Sequence, residues 1–443
     1  MEHKNQLFQH LISHQELQSC FNYFKMKNIL CLVLLVTTFA FFYSCGPSSH
    51  DTSDQVKAAN KKVLVLSIDG GGIKGILPAY ILTQIEQAMD GKQAYQLFDV
   101  IGGTSTGGII SLGLTTPYGT NGVPRTATQV LDFYMKDCGE IFYTNRQKYS
   151  YWPHPTYGPS YYADSSGHGV EAFLRDIFGN LSLAEAEQML PNKKVKQVFT
   201  TSYLVNSTGG NISDPKMGTD FGPYLFNWYD AKTKGRPQNY FLWEAARATS
   251  AAPGYFPLAN VGGGANGRSP AAEKWAIDGG VMSNDPAMWA VTECLRTGIA
   301  KNINDIVVIS LGCGLDKFNG GINVDQVGAN DQKGQQYGFW GTGTWGTPGI
   351  TTNLAGQPQI VPAALSMALY ANQFVPDNQL QRLADATTGF QYIRVQMELP
   401  PSLLAMDSCQ NTSALQSFAS KYFTTPEGQK KLGEIVTAIR TNL

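Results

Sequence analysis

The chain has 443 residues, of which 43% are hydrophobic and 15% are charged, and it contains 46 glycines. This composition is typical of a globular protein with many tight turns, and it excludes a disordered or coiled-coil chain. The formal net charge of −1 gives no electrostatic support for a nucleic-acid partner, so none is predicted. The length suits one large α/β domain or two ordinary ones.

Residues 1–45 contain a segment that resembles an export signal. The apolar run Asn28–Tyr43 is short for a membrane-spanning helix, is preceded by two lysines, and ends just before Cys45. This pattern is typical of a bacterial lipoprotein signal peptide, and it predicts cleavage before Cys45 and lipid attachment to that cysteine. The signal needs nothing before Met26, which we expect to be the true start. The prediction is an exported lipoprotein anchored to a membrane on its periplasmic or cell-surface side; an uncleaved signal or a plain transmembrane anchor is the alternative.

Three segments follow the signal. Residues 46–60 are polar and serine-rich, which is typical of a flexible tether. Residues 61–314 alternate strand-like and helix-like patterns, and they predict an α/β domain with a mainly parallel sheet covered on both faces. Residues 315–443 are predicted to be a loop insertion and a helical C-terminal extension packed on the same domain.

The elements of residues 61–314 are predicted from the period of their apolar residues. The first strand is a continuous apolar run, as expected of a strand buried on both faces. In chain order the predicted strands are Lys62–Ile68, Gln96–Ile101, Lys196–Val205, Tyr224–Tyr229, Lys274–Ile277 and Asp305–Leu311, and the helices are Ile76–Met89, Thr106–Leu114, Val170–Phe178, Phe241–Ala252 and Pro286–Thr297.

The glycine-rich segment Asp69–Gly75 follows the first strand. Gly70, Gly71 and Gly72 let the backbone turn and expose N–H groups, and the helix that begins beyond them adds positive partial charge, so the turn is suited to hold an anion. Gly70, Gly72 and Gly75 also match the GxGxxG pattern of a dinucleotide site. This motif alone leaves an oxyanion site, a dinucleotide site and a purely structural turn open.

A second motif, GTSTG, spans Gly103 to Gly107 between a predicted strand and a predicted helix. In that setting GxSxG is the pattern of a nucleophile elbow, in which a strained turn exposes the serine hydroxyl. An acyl-transfer enzyme needs such a nucleophile and N–H donors for the developing oxyanion. The position of this elbow one βα unit after the glycine turn predicts Ser105 as a nucleophile.

The positions of the histidines in the chain argue against a histidine as the base that would activate Ser105. An α/β-hydrolase places its histidine last, but this chain has six histidines and none after His168. We expect His154 and His168 to be surface residues. Asp278, which is followed by Gly279 and Gly280 at the end of a predicted strand, is a candidate base, and a helix-capping aspartate is the alternative.

The spacing of the cysteines does not predict a metal site. The seven cysteines include no CxxC pair, so a zinc ribbon or a thioredoxin-like site is not predicted. Cys138, Cys294, Cys313 and Cys409 are widely spaced in the body of the chain, and we expect them to be buried free thiols. No metal or organic cofactor is predicted.

The segments Asp69–Gly75, Gly103–Gly107 and Asp278–Gly280, in this order, resemble the oxyanion turn, nucleophile elbow and dyad aspartate of patatin-like phospholipases. The stretch Leu242–Phe256 (LWEAARATSAAPGYF) is similar to that family too, and the resemblance covers roughly Lys62 to Gly314. It implies a three-layer α/β/α fold, a Ser–Asp dyad without histidine, and hydrolysis of acyl esters in membrane lipids. The partners implied are a membrane lipid substrate and a membrane surface.

The same resemblance gives Lys74 the position of a basic residue that helps to hold a phosphate or the oxyanion. Arg247 lies in the stretch that the family packs beside the elbow, and we expect it either to face lipid phosphate or to form a structural ion pair. Cys313 departs from the family, which commonly has a small hydroxyl residue there. Two rival functions remain: a dinucleotide-binding oxidoreductase, and a non-catalytic lipid-binding lipoprotein on a hydrolase fold.

Overall fold

The computed structural model describes residues 61–144, 161, 168–206, 221–263, 272–316, 321–323, 345–347, 352–354, 356 and 363–443. The predicted signal with Cys45, the tether, His154 and most of the predicted insertion lie outside the described residues. Within the described ranges, no helix is long and apolar enough to cross a membrane.

The strands form an eight-stranded, mainly parallel sheet and a separate two-stranded antiparallel ribbon. The strands are β1 (Val63–Ile68), β2 (Val100–Thr104), β3 (Pro117–Tyr118), β4 (Val123–Pro124), β5 (Gln197–Asn206), β6 (Gly222–Asn227), β7 (Ala259–Val261), β8 (Lys274–Asp278), β9 (Ile306–Leu311) and β10 (Gln391–Val395). The sheet order is β10-β9-β1-β2-β5-β8-β7, with β6 also paired to β5, and β3 and β4 form the ribbon.

Helices cover both faces of this sheet. They are α1 (Ile76–Ala88), α2 (Ala94–Leu97), α3 (Thr106–Gly113), α4 (Ala127–Met135), α5 (Cys138–Ile141), α6 (Val170–Phe178), α7 (Leu183–Met189), α8 (Trp228–Lys234), α9 (Leu242–Thr249), α10 (Gly280–Ser283), α11 (Ala287–Arg296), α12 (Ala363–Ala386), α13 (Thr412–Tyr422) and α14 (Pro426–Asn442). Short 3-10 turns occupy Gly72–Gly75, Arg236–Gln238, Ile303–Asp305, Pro401–Leu403 and Cys409–Asn411.

The continuous apolar sequence of β1 explains the two layers of helices. All six residues of β1 are buried, and side chains alternate between the two faces of a strand. Leu64 and Leu66 belong to the core that includes residues of α1, α3 and α9. Val63 and Val65 belong to a second core that includes residues of α11 and α12. The expected three-layer α/β/α fold with C-terminal helices is therefore confirmed.

The direction of β8 differs from the expectation for a parallel sheet. Strands β10, β9, β1, β2 and β5 run parallel to one another, whereas β8 is antiparallel to β5. Because β5 extends beyond the end of β2, β8 pairs with this extension and runs back toward Thr104. Thr104 is paired with Thr201, and the next residue of β5, Ser202, is paired with Asp278. Because β6 occupies the other edge of β5, the end of β8 lies next to the end of β2.

One predicted strand is shorter than expected, and the C-terminal extension contains one strand that the sequence did not predict. The strand predicted at Gln96–Ile101 begins only at Val100, because Gln93 and Gln96 form a capping box that starts the short helix α2. The C-terminal extension contains helices as expected but also β10, which is an edge strand of the main sheet. The parallel pairing of β10 with β9 satisfies backbone groups that an isolated five-residue strand could not satisfy alone.

The expectation of free thiols is wrong for two of the four cysteines. Cys138 and Cys409 form a disulfide across a sequence separation of 271 residues, with their Cα atoms 5.8 Å apart. Cys294 and Cys313 are buried free cysteines, as expected. The disulfide connects α5 to the segment that precedes α13.

Candidate active site

The glycine turn is held between three other parts of the chain. Asp69 donates its N–H to the carbonyl of Leu311 at 3.0 Å. Its fully buried carboxylate accepts two hydrogen bonds from Arg394 of β10, at 2.8 and 2.6 Å. Ile73 donates its N–H to the carbonyl of Met406 at 2.8 Å. Gly72 has φ of +61°, and a side chain there would collide with the same Met406 carbonyl, so only glycine fits.

Ser105 occupies the strained position expected of a nucleophile elbow. It lies between β2 and α3 with φ of 54° and ψ of −121°, a positive φ that non-glycine residues rarely adopt. A side chain on Gly103 would collide with the backbone of Gly107, and one on Gly107 would collide with the carbonyl of Ile68. The glycines on both sides therefore let the elbow pack against the strand and turn that precede it.

Asp278 lies within hydrogen-bond reach of Ser105. The Ser105 side chain is close enough to the carboxylate to lower its pKa, and Asp278 is only 5% exposed. Its carboxylate also accepts the N–H of Gly280 at 2.7 Å. A side chain on Gly279 would collide with Thr201, so this glycine permits the close approach of β8 to β5. The structure thus brings together the two residues that the sequence predicts as nucleophile and base.

Burial of Asp278 raises its pKa to about 6, because desolvation disfavours the charged carboxylate. The hydrogen bonds from Ser105 and Gly280 and the charge of Arg247 oppose this rise in pKa. A carboxylate with this pKa is a stronger base than an ordinary aspartate, yet it is still mostly ionised at neutral pH. It can accept a proton from a serine hydroxyl.

The three glycines predicted for the oxyanion hole are not equivalent. The N–H of Gly70 donates to the carbonyl of Asn284 at 3.1 Å, and the Asn284 amide donates to the carbonyl of Gly70 at 3.3 Å. Gly70 is thereby engaged in holding the turn. Among the described residues, no acceptor takes the N–H of Gly71 or Gly72. These two N–H groups are the ones left to bind a substrate oxygen.

Lys74 lies on the glycine turn and is partly buried. Desolvation lowers the pKa of its ammonium group, and the charge of the neighbouring Asp316 opposes that change. The Cys313 thiol donates to the carbonyl of Asp69 at 3.2 Å, and burial raises its pKa. The thiol therefore stays protonated at neutral pH and supports the turn as a neutral hydrogen-bond donor.

Arg247 does not lie where a lipid phosphate could reach it. The residue is 2% exposed, and its guanidinium donates to the carbonyl of Pro257 at 2.7 Å. Its Nε and Nη1 atoms have no hydrogen-bond partner among the described residues. Burial lowers the pKa of Arg247 to about 10, and the charges of Glu171 and Asp278 oppose that change. Of the two expected roles, this buried position disfavours contact with phosphate, and the charge of Arg247 acts on Asp278 instead.

An apolar cavity of about 50 Å³ opens beside Ser105. Gly72 of the glycine turn and Met406 also line it, and its walls are mostly aromatic or aliphatic: Ile109, Tyr134, Ile141, Phe142, Val170 and Phe256. Such a wall can hold a hydrocarbon chain. A larger groove of about 350 Å³ between α11 and α12 includes neither Ser105 nor Asp278.

The histidine within the described residues does not contact the dyad. His168 is exposed, lies 3.3 Å from the carboxylate of Glu140, and stacks on Tyr143. This confirms that His168 is a surface residue.

The glycine turn is poorly suited to bind a dinucleotide. Two of its N–H groups, those of Gly70 and Ile73, already donate to protein carbonyls and are not free to bind a phosphate. Among the described residues, no cluster of acidic, histidine or cysteine side chains could hold a metal ion.

The family model of patatin-like phospholipases matches residues 66–291 of this chain, which is just over half of its length and includes the turn, the elbow and Asp278. The chain belongs to the patatin-like phospholipase family. The patatin-like proteins 2 of rice (Oryza sativa subsp. indica) and Arabidopsis thaliana are each 30% identical to it, over 290 and 289 residues that cover 61% and 60% of this chain. Patatin group J-1 of potato (Solanum tuberosum) is 31% identical over 253 residues, or 55% of this chain.

The matches cover only part of these relatives as well. The chain spans 64% of the rice protein, 63% of the Arabidopsis protein and 56% of the potato protein. The residues that fix the glycine turn from the C-terminal side, Arg394 and Met406, lie outside the matched range.

Sequence reasoning did not find several residues that build this site. Asn284, Met406 and Arg394 hold the glycine turn through contacts between distant parts of the chain. Thr249 lies within a stretch that the family resemblance includes. No local sequence pattern predicts that its hydroxyl accepts the N–H of Ser105. No sequence signal marked Arg394, because its burial and its place in β10 are visible only in the structure.

Proposed function

We propose that this protein is a serine hydrolase that cleaves acyl esters of lipids through Ser105 and Asp278. The observation that carries the proposal is the strained Ser105, which lies close to the buried carboxylate of Asp278 and lines an apolar cavity. Family membership supports the same reaction class.

The geometry supports a two-step mechanism. Ser105 Oγ attacks the acyl carbonyl while Asp278 accepts the hydroxyl proton, and the N–H groups of Gly71 and Gly72 stabilise the resulting oxyanion. The tetrahedral intermediate then collapses, and protonated Asp278 gives its proton to the departing alcohol. In the second step Asp278 takes a proton from water, whose oxygen attacks the acyl-enzyme. Collapse releases the fatty acid and returns the proton to Ser105.

We assign the apolar cavity to the acyl chain and Lys74 to the polar head of the lipid. The cavity begins at Ser105 and Gly72, so an acyl carbonyl at Ser105 would place its chain against the aromatic wall. Lys74 lies two residues beyond Gly72, and the residue is partly buried. Lys74→Met should therefore raise KM for an anionic phospholipid more than KM for a neutral acyl ester.

The decisive experiment combines active-site labelling with turnover. Wild-type protein should react with a fluorophosphonate probe and release fatty acid from phospholipid vesicles, whereas Ser105→Ala and Asp278→Asn should lose nearly all turnover. Ser413→Ala and Asp385→Asn, the same changes at exposed positions, serve as matched controls. Full turnover by Asp278→Asn would refute the dyad, and absence of labelling at Ser105 would favour the non-catalytic lipid-binding alternative.

We also propose that the protein is exported and lipid-anchored through Cys45. The signal pattern supports this, and so does the disulfide between Cys138 and Cys409, because disulfides persist mainly in oxidising compartments outside the cytosol. Cells that express the full chain should incorporate labelled palmitate into the wild type but not into Cys45→Ser. Equal labelling of both proteins would exclude lipidation at Cys45.

A further inference from the structure

Thr249, the last residue of α9, connects the nucleophile to the base. It is fully buried, and its Oγ1 accepts the N–H of Ser105 at 2.9 Å. The same hydroxyl donates to the carbonyl of Thr201 in β5 at 2.5 Å. The carbonyl of Thr249 accepts the N–H of Gly279, the residue after Asp278, at 3.3 Å. One residue thus contacts the elbow, the central strand and the segment that carries the base.

The elbow needs an external acceptor for the Ser105 N–H. Ser105 precedes the first residue of α3, so its N–H has no acceptor within the helix. A positive φ at a non-glycine residue costs roughly 1–3 kcal/mol and persists only where the surroundings hold it. The Thr249 hydroxyl is oriented by its own bond to Thr201, so its lone pair faces Ser105. This bond fixes the backbone from which the nucleophile projects.

The segment of Asp278 is fixed by the end of the same helix. Asp278 donates its N–H to the carbonyl of Ala251 at 3.0 Å, and the Ser202 hydroxyl bridges the carbonyls of Ala248 and Ile277 at 3.2 and 2.8 Å. The residues after Asp278 therefore cannot shift without moving the backbone around Thr249. This junction therefore contributes to the separation between Ser105 and Asp278.

We propose that Thr249 is a positioning residue that sets the distance and angle between Ser105 and Asp278. This inference rests on the proposed function, since it concerns the same dyad. Thr249 touches no reacting atom; it acts through the backbone of Ser105 and the backbone of Gly279. Misplacement of reacting groups by about 1 Å can cost on the order of 100-fold in rate, so the hydroxyl should affect turnover far more than substrate binding.

The chain contains a matched control for this hydroxyl. Thr200 is also fully buried, and a side chain on Gly108 would touch both Thr200 and Thr249. The Thr200 hydroxyl, however, has no hydrogen-bond partner within the described part of the chain. Thr200→Val and Thr249→Val therefore make the same change in the same layer, but only the second removes an acceptor from Ser105.

The test measures kcat and KM of the full chain with p-nitrophenyl butyrate, together with the rate of fluorophosphonate labelling. Thr249→Val should lower kcat and the labelling rate by about 100-fold while KM changes less than about threefold. Thr249→Ser keeps the hydroxyl and should restore kcat to within about threefold of wild type. Thr200→Val should retain wild-type kcat.

Two results would overturn the inference: wild-type kcat in Thr249→Val, or equal losses of kcat in the Ser and Val variants. If circular dichroism shows that Thr249→Val does not fold, Thr249→Ala replaces it. The kcat of Thr249→Ala should then be about 100-fold lower than the kcat of Thr249→Ser. Ser105→Ala is run in parallel. Turnover by Ser105→Ala refutes the proposed function itself, whereas wild-type kcat of Thr249→Val beside an inactive Ser105→Ala refutes only the positioning role.

Discussion

Replacing Asp278 by asparagine should abolish turnover and at the same time stabilise the folded protein. The asparagine side chain keeps the size of the aspartate, and its oxygen can still accept the bonds that Ser105 and Gly280 donate to Asp278. What it removes is a negative charge that is buried with little access to water. Natural active sites often hold such a group at a cost in stability.

The magnitude follows from the pKa. Burial raises the pKa of Asp278 from 3.8 to about 6, and each pKa unit corresponds to about 1.4 kcal/mol. Because the folded state binds this proton more tightly than the unfolded state, the charged carboxylate destabilises the wild type above the folded-state pKa. The cost is about 3 kcal/mol at pH 7.5, about 1.6 kcal/mol at pH 5 and about 0.6 kcal/mol at pH 4. Acidification through pH 6 therefore reduces the advantage of the variant.

The assay is thermal unfolding of the wild type and Asp278→Asn between pH 4 and pH 8. At pH 7.5 the Tm of the variant should be higher by about 4 °C. This shift is the expected change in free energy divided by the entropy of unfolding, which grows with the size of the folded domain. The difference should shrink as the pH falls below 6. Asp385→Asn, at an exposed position on α12, should leave Tm unchanged. A variant less stable than the wild type at pH 7.5, or a Tm difference independent of pH, would refute this reasoning.

Three further changes test other parts of the site. Arg394→Met should lower the free energy of unfolding in urea by about 3–5 kcal/mol, since it leaves the buried carboxylate of Asp69 without its counter-ion; an unchanged midpoint would contradict this. Replacing Cys138 and Cys409 together by serine should cost about 3–5 kcal/mol, because the disulfide closes a long loop, and reduced wild type should melt like the double variant. Phe142→Ala removes one wall of the cavity and should shift the preferred p-nitrophenyl ester toward longer acyl chains; an unchanged chain-length profile would show that Phe142 does not limit the acyl site.

The parts of the fold that were predictable are encoded in short stretches. The buried run of β1 and the helical spacing of α6 gave bounds that match the structure closely. The glycines of the turn and of the elbow were recognisable because each is required by a local backbone geometry or a close approach. Ser105 could be found for the same reason, since its strained conformation depends on the glycines beside it.

The parts that were missed depend on residues far apart in the chain. Strand β10 has only five residues between helices, and its place in the sheet comes from pairing with β9. The spacing of Cys138 and Cys409 gave no sign that their Cα atoms lie 5.8 Å apart. Asp278 was expected at the carboxyl edge of a parallel sheet, but β8 runs antiparallel to β5. The residue lies near Ser105 because the long β5 carries β8 back toward the end of β2, which no local pattern reveals.

The glycine turn shows why the site extends beyond the family motifs. The matched range ends at residue 291, yet the carboxylate that begins the turn is neutralised by Arg394 and the far side of the turn is fixed by the carbonyl of Met406. The disulfide joins Cys409, three residues after Met406, to Cys138. A chain ending at residue 314 would therefore keep Ser105 and Asp278 but would lack the counter-ion of Asp69 and one wall of the cavity. The C-terminal segment therefore helps to fix the position of the glycine turn, whose N–H groups we propose to bind the oxyanion.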